Sequence, residues 1–410
     1  MTEHPLPLSD LRVIELGHIV AGPSGGLLFA DLGADVIKVE EPGAGDQARS
    51  MPNSGSIFYA YNRNKRSLAL DLKSADGKEA FSRLVASTDV VLDNYAPGVL
   101  DRLGIDYAWG ATINPRVIYC SIKGFLPGPY GDRPSLDELA QMMGGMAYMT
   151  GPAGQPLRAG ASIVDIGAAT YGVVATLAAL HRRSQTGRGQ HVQAGLFETT
   201  VFLLSQHVAQ ASIQGRAPVP MPARGMGSRM GWGVYQLFPT ADSRQVFIAI
   251  TSNAHWKRFC TELGLADLLA DETLNTNARR AANRPRVIPR IEAITREMTA
   301  AELMATLDRI RVPFAPLNDP LDLLSDSHLQ SGDRLVSVNP ADGHPIEVPN
   351  LPVAGADLVG PARRDPPSLG QHSAAILSEL GYSADQIRSL FERGVSAQNR
   401  PTLFDTGPDA

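Results

Sequence analysis

Cysteine is nearly absent: the 410 residues hold two, Cys120 and Cys260, far apart in the chain. A disulfide framework or a thiolate metal site therefore has no material, and a reducing cytoplasm fits best. Charge of one sign is missing too. Lys and Arg total 37 against 42 Asp and Glu, a net −5, which argues against a general nucleic-acid or membrane-surface binder. No apolar run approaches the roughly 20 residues of a membrane span. The opening MTEHPLPLSD lacks the basic and apolar regions of a secretory signal. His181, His191 and His207 lack metal-ligand spacing, and no Walker loop occurs. What is present is ordinary: 43% hydrophobic and 19% charged residues, a globular composition that allows two or three domains at roughly 150 residues each.

The first 125 residues alternate β-branched runs (11–16, 35–40, 67–72, 89–94, 116–122) with helix-like stretches (25–32, 75–86), the rhythm of βαβ units around a parallel sheet. Helices are expected over 134–149 and 166–183, the second rich in small residues and of low exposure. A strand at 191–194, a helix over 198–210 and an aperiodic Pro-, Gly- and Met-rich loop at 215–233 follow. A second unit opens with a hairpin (234–238, 246–250) and amphipathic helices (255–263, 301–309); 321–353 returns through loop and strands to a helix at 373–391, broken near Gly381. The expected layout is an α/β protein. A large domain begins at 1–200, a linker spans 201–224, a smaller α+β domain spans 225–325, and 326–410 packs back on the large domain.

Gly22-Pro23-Ser24-Gly25-Gly26 matches the nucleophile-elbow pattern, which would make a serine hydrolase. Ser24 lies eight positions beyond the strand, however, so a Ser-capped helix start is the better reading. Gly43-Ala44-Gly45-Asp46-Gln47-Ala48 fits the loose dinucleotide fingerprint but runs into loop residues, which disfavours a nicotinamide or flavin. Lys73, Arg102 and Lys123 lie at or near strand ends, where an open sheet binds ligands; they suit a polyanion or plain surface solubility. Ser135 and Glu138 read as a capping box around Asp137, whose carboxylate is favoured by the helix dipole and is also a possible nucleophile towards an acyl carbon. Between Arg224 and Gly233, four glycines from Gly225 and Gly227 onward surround Arg229: a linker, or a lid over a small anion.

Taken together, His18-Ile19-Val20-Ala21-Gly22-Pro23, Leu32-Gly33-Ala34-Asp35-Val36-Ile37-Lys38-Val39-Glu40, Asn64-Lys65-Arg66-Ser67, Asp93-Asn94-Tyr95-Ala96-Pro97-Gly98, Ser121-Ile122-Lys123-Gly124-Phe125, Asp137 with Gln141, and Thr186-Gly187-Arg188-Gly189-Gln190 resemble the class III CoA-transferases, the family of formyl-CoA and carnitine CoA-transferases. The resemblance runs from about residue 11 to 390. It implies a Rossmann-like large domain, a small domain joined by two linkers, and two subunits threaded as interlocked rings. Asp137 matches the family's nucleophile. CoA, a substrate rather than a tightly bound cofactor, would lie against Val20, Ala21, Leu70, Asp71, Leu72, Lys73, Asn94, Tyr95, Ala96, Arg102, Lys123, Gly124, Phe125 and Leu126. The loop from Gly225 would shield the intermediate.

Departures are informative. Val20 stands where the oxalate-using branch has Gln, and Glu41 where it has Arg, which puts oxalate in doubt. The racemase branch carries a His immediately before the aspartate; Leu136 is here instead, which weakens an α-proton racemase despite Asp165 standing where racemases keep an acid. Residues 123–130 and 142–151 look most like enzymes moving CoA between succinate and mesaconate, itaconate or citramalate. Arg158, Arg224 and Arg229 are candidates for the distal carboxylate.

Overall fold

The structure, a computed structural model, describes residues 5–51, 55–220, 231–340, 343–355, 357–360 and 363–398. The chain divides into two compact units: 1–145, 159–208 and 327–410 form the larger, and 146–158 with 209–326 the smaller.

In the larger unit six strands are parallel: β1 (Arg12–Leu16), β2 (Asp35–Glu40), β3 (Arg66–Leu70), β4 (Val90–Asp93), β5 (Ile118–Lys123) and β6 (His191–Gly195). The order is β3-β2-β1-β4-β5-β6, and a two-residue strand (Ser396–Ala397) closes the β3 edge antiparallel. Because both faces are covered, successive residues are buried rather than alternating: Val13, Ile14 and Leu16 of β1 are fully buried, and so are the charged Glu15 of β1 and Lys38 of β2. The crossovers carry α1 (Ala21–Asp31), α2 (Ser56–Tyr61), α3 (Ala75–Ala86), α4 (Val99–Leu103) and α5 (Tyr107–Ile113); α6 (Asp137–Met143) and α8 (Ile163–Thr186) lie between β5 and β6, with α7 (Met146–Thr150) in the smaller unit. Ser74 caps α3 through Gly77 N–H, and Asp106 caps α5 through Trp109 N–H. Phe81 of α3 stacks on Trp109 of α5 at 5.9 Å. Ile376 and Leu377 of a helix at Ser373–Glu379 and Ile387 and Leu390 of a helix at Ala384–Glu392 complete that core.

Helix α8 corrects one expectation. Its 24 residues reach a mean hydropathy of 1.7 over an 18-residue window, so by length and composition it does match a membrane span. Its small residues have another use. A Cβ on Gly172 would meet Cys120 Sγ at 3.1 Å, so glycine lets the helix lie directly on β5. The low exposure expected of this helix does not hold: only one side of α8 is buried, and Tyr171, Val174 and Leu177 are exposed.

The helix expected over 134–149 is two, α6 and α7, interrupted at Gly144–Gly145; Gly145 adopts φ +83°, and a Cβ on Gly144 would meet Thr200 Cγ2 at 2.4 Å. The helix over 198–210 likewise splits into α9 (Leu196–Leu203) and α10 (Ser205–Gln214). In the smaller unit β7 (Val234–Pro239), β8 (Gln245–Ile250) and β9 (Phe314–Pro316) form an antiparallel sheet. Trp256 and Phe259 of α11 (Asn253–Glu262), Val287 and Ile291 of a helix at Arg284–Thr295, and Leu303 and Leu307 of a helix at Ala300–Arg309 pack in one core with it.

Candidate active site

β1 lies between β2 and β4, and its outgoing loop crosses to β2 while β4 begins the other half; this reversal is where open α/β sheets bind ligands. Ile19, in that loop, is held at φ +63°, a costly conformation for a β-branched residue. The surroundings impose it. Asp46 Oδ1 accepts the Ile19 N–H at 2.9 Å, and the Asn94 side-chain amide brackets His18, accepting its N–H at 2.9 Å and donating to its carbonyl at 3.0 Å. Asp46 is itself fixed by the buried Lys38 ammonium at 2.7 Å, which also pairs with Glu15 at 2.7 Å; Lys65 pairs with the other oxygen of Glu15 at 2.6 Å. Burial opposes ionisation throughout this cluster. Lys38 outweighs it and holds Asp46 at about 2, whereas Lys65 falls to about 8 despite Glu15. The result is a braced turn that presents the N-terminus of α1, which no side chain caps.

The other residues expected to touch CoA lie along the same carboxyl edge. Val20 and Ala21 follow β1, Leu70 to Lys73 end and follow β3, Asn94 to Ala96 follow β4, and Lys123 to Leu126 end and follow β5. Val20, Ala21, Leu70, Leu72 and Phe125 are buried and shape the edge. Leu126 N–H is taken by the Glu198 carboxylate.

The three cations are not equivalent. Lys73 pairs with Glu41 at 2.7 Å on the surface; Lys123 pairs with Asp93 and donates to the Tyr95 carbonyl at 2.8 Å. The Arg102 guanidinium has no ion pair or hydrogen bond among the described residues. Lys73 and Lys123 thus already have carboxylate partners, whereas Arg102 has none among the described residues.

A cavity of about 580 Å³, within the range of ligand sites, opens beside Lys123, lined also by Ala96, Gly98, Tyr107, Ser121 and His191. Ser121 Oγ donates to Asp93 and lies 3.0 Å from His191 Nε2. Because the Ser121 proton goes to Asp93, the imidazole has the donor role there. This cluster went unread in the sequence, since its members stand on three strands.

Asp137 is 5% exposed at the first turn of α6. Its Oδ2 accepts the backbone N–H of Val164 at 2.9 Å and of Asp165 at 3.1 Å, two of the unpaired donors at the start of α8. Its Oδ1 accepts Gln141 Nε2. Gln141 Oε1 in turn accepts Ala159 N–H at 2.8 Å, which fixes the amide's orientation. Among the described residues, the hydrogen bonds to this carboxylate come from neutral groups. Asp165 is the acid beside it: burial, with the charges of Asp137 and Glu138, lifts its carboxyl to about 7.

Two expectations are corrected. The capping box does not form, because the N-cap of α6 is Leu136 and Ser135 Oγ donates to the Leu136 carbonyl at 3.4 Å. Ser24 neither caps a helix nor tops an elbow; it lies inside α1, and its hydroxyl donates to the Ala21 carbonyl at 3.1 Å. Arg224, Gly225, Gly227 and Arg229 lie outside the described residues, and Arg158 is exposed in the smaller unit.

The sequence profile of CoA-transferase family III matches residues 8–373. The chain is 34% identical to a succinate–glutarate CoA-transferase of Agrobacterium fabrum over 387 residues, covering 91% of this chain and 96% of that protein. It is also 34% identical to a succinyl-CoA:mesaconate CoA-transferase of Haloarcula hispanica, covering 91% and 96%. The crystal structure of a CAIB/BAIF family protein from Brucella suis superposes with a TM-score of 0.82 at 34% identity, covering 92% of this chain and all of that one.

Proposed function

The chain belongs to CoA-transferase family III, and from that premise we propose that it moves CoA from succinyl-CoA to a small dicarboxylic acid such as mesaconate, itaconate, citramalate or glutarate, through covalent intermediates on Asp137. One observation carries the reading: a buried carboxylate whose donors among the described residues are all neutral. An ion pair would have to be broken before such a group attacked; neutral hydrogen bonds aim it and leave its electron pairs available.

The sequence of steps follows from the chemistry. Asp137 attacks the donor thioester, giving an aspartyl anhydride and CoA thiolate; the thiolate returns to form an aspartyl-CoA thioester and frees the donor acid. The acceptor carboxylate attacks that thioester, and the thiolate opens the second anhydride. Acyl activation stays in covalent bonds as long as water is excluded. In this reading the CoA diphosphate is drawn by Arg102 and shares Lys73 with Glu41, and the glycines from Gly225 close over the intermediate with Arg224 and Arg229 near the acceptor.

The reading includes two subunits. Leu136, Leu139 and Met142 around Asp137, Val174 of α8 and Phe202 of α9 are each more than 45% exposed. Tyr171 and Phe202 meet edge to face at 5.4 Å, joining the α8 and α9 parts of this apolar surface. Clustered exposed apolar side chains of this kind mark interaction surfaces. An interlocked partner of the kind the family resemblance implies is the occupant proposed, in a cytoplasm that keeps the buried Cys120 and Cys260 reduced.

Succinyl-CoA mixed with a panel of small acids tests the reading by mass spectrometry. A new acyl-CoA rising in step with succinate, without net loss of thioester, is expected, and Asp137→Ala is expected to abolish it while CoA still binds. Solvent deuterium entering the acyl group with no second acid present would favour the racemase branch instead.

A further inference from the structure

Asp137 presents its two oxygens to different partners, and in a mechanism where the aspartyl carbon is itself attacked, that asymmetry has a chemical meaning. Oδ2 sits on two backbone N–H groups at the second and third positions of a 24-residue helix, donors that cannot rotate away. Oδ1 faces one side-chain amide, held in turn by Ala159 N–H.

We propose that the two oxygens of Asp137 have fixed and separate fates: Oδ2 stays on the enzyme through every turnover, Oδ1 is traded with the substrates, and Gln141 is the positioning residue that keeps them apart. The proposal rests on the aspartyl-anhydride reading above.

The bonds balance as follows. An Oδ1 electron pair forms the bond to the donor acyl carbon, and the C–S bond breaks with its pair leaving on the thiolate. The thiolate then attacks Cγ, the Cγ–Oδ2 π pair moves onto Oδ2, and the resulting oxyanion is received by the Val164 and Asp165 N–H groups already pointing at it. Collapse breaks Cγ–Oδ1, so the donor acid leaves carrying that oxygen. An acceptor oxygen next attacks Cγ, the same two N–H groups hold the charge on Oδ2, and the thiolate departs. When the thiolate opens this second anhydride, the acceptor's oxygen remains on Cγ in the Oδ1 place. No proton or redox partner is needed. One oxygen thus passes from acceptor to Asp137 and, in the following turnover, to the donor acid.

Interchange of the two positions requires the carboxylate to turn by half a revolution. In a group 5% exposed, that breaks the three described hydrogen bonds together. Gln141 cannot yield by flipping its amide, because its carbonyl is committed to Ala159 N–H. The sequence hides this arrangement. Gln141 follows Asp137 by one helical turn, but the groups that give the pair its direction come 18 to 28 residues later.

The test is oxygen exchange with succinyl-CoA and a large excess of succinate carrying 18O in both carboxylates, an identity transfer that needs no other acid. Turnover is read from label entering succinyl-CoA, and after many turnovers the peptide containing Asp137 is weighed. One 18O atom per Asp137, not rising with further turnover, is expected, and it is lost again in a chase with unlabelled succinate. Two atoms would overturn the separate fates while leaving the covalent route intact. None, with turnover proceeding, would overturn the covalent route itself. Gln141→Met keeps the side chain's length and burial without the donor; in this variant, shown folded by circular dichroism, a second label is expected to accumulate. If it stops at one, Gln141 is not the positioning residue.

Discussion

Asp165 makes stability depend on pH in the direction opposite to most acids. Burial first, then the charges of Asp137 and Glu138, raise its carboxyl to about 7, and the phenol of Tyr61 faces it from α2. The unfolded chain releases the same proton near pH 4. Between those values the native state binds more protons than the unfolded one, so this group's contribution falls as pH rises from about 4 to 7. Asp165→Asn removes that dependence. Its melting temperature relative to the wild type is expected to be higher at pH 8 than at pH 5; equal differences at both would contradict the assignment. At this scale the sequence marks Asp137 only through the family resemblance, because the groups that hold its carboxylate, Val164 and Asp165 N–H, are remote in the chain. The braced Ile19 turn illustrates the limit: Asp46, Asn94 and Lys38 come together only through the sheet, and nothing in the order His18-Ile19-Val20 reveals a positive φ.

Among the elements, strands and long helices are legible from their apolar patterning; β2 lies where the pattern puts it although the buried Lys38 interrupts its run, and α3 is marked by apolar residues at helical spacing. α4 and α5, with five and seven residues, leave no periodic trace. The break between α6 and α7 falls at Gly145 with its positive φ, and the need for glycine beside it at Gly144 comes from Thr200, a neighbour that sequence spacing cannot supply. Close approach also governs α1. A Cβ on Gly26 would fall 1.9 Å from Glu15 Oε2, and Glu15 cannot retreat because Lys38 and Lys65 hold it. Gly26→Ala improves helix propensity by about 1 kcal/mol, yet the overpacking is expected to cost about 1–3 kcal/mol, a net loss measurable by denaturant unfolding. Gain of stability would mean that the buried ion cluster is softer than its geometry.

For the whole molecule, the exposed apolar surface of α6, α8 and α9 predicts a mass near twice 43.8 kDa by light scattering, unchanged on dilution to nanomolar concentration. Leu139→Asp and Val174→Asp together are expected to lower the mass or the solubility; a wild-type monomer would remove the two-subunit part of the reading. The family was legible from many ordered motifs, whereas the excursion of 146–158 into the smaller unit has no compositional signal. The outer edge of β3 has a further consequence. Its groups are met by His372, Ser373, Val395 and Ser396: Ala69 N–H reaches Ser373 Oγ at 3.1 Å and Asp71 N–H reaches the Val395 carbonyl at 2.8 Å. During synthesis these partners leave the ribosome some 300 residues after the strand they cover. The nascent sheet must therefore wait with one raw edge while the whole inserted unit is made, a period in which chaperone capture or pairing with another unfinished chain competes with completion.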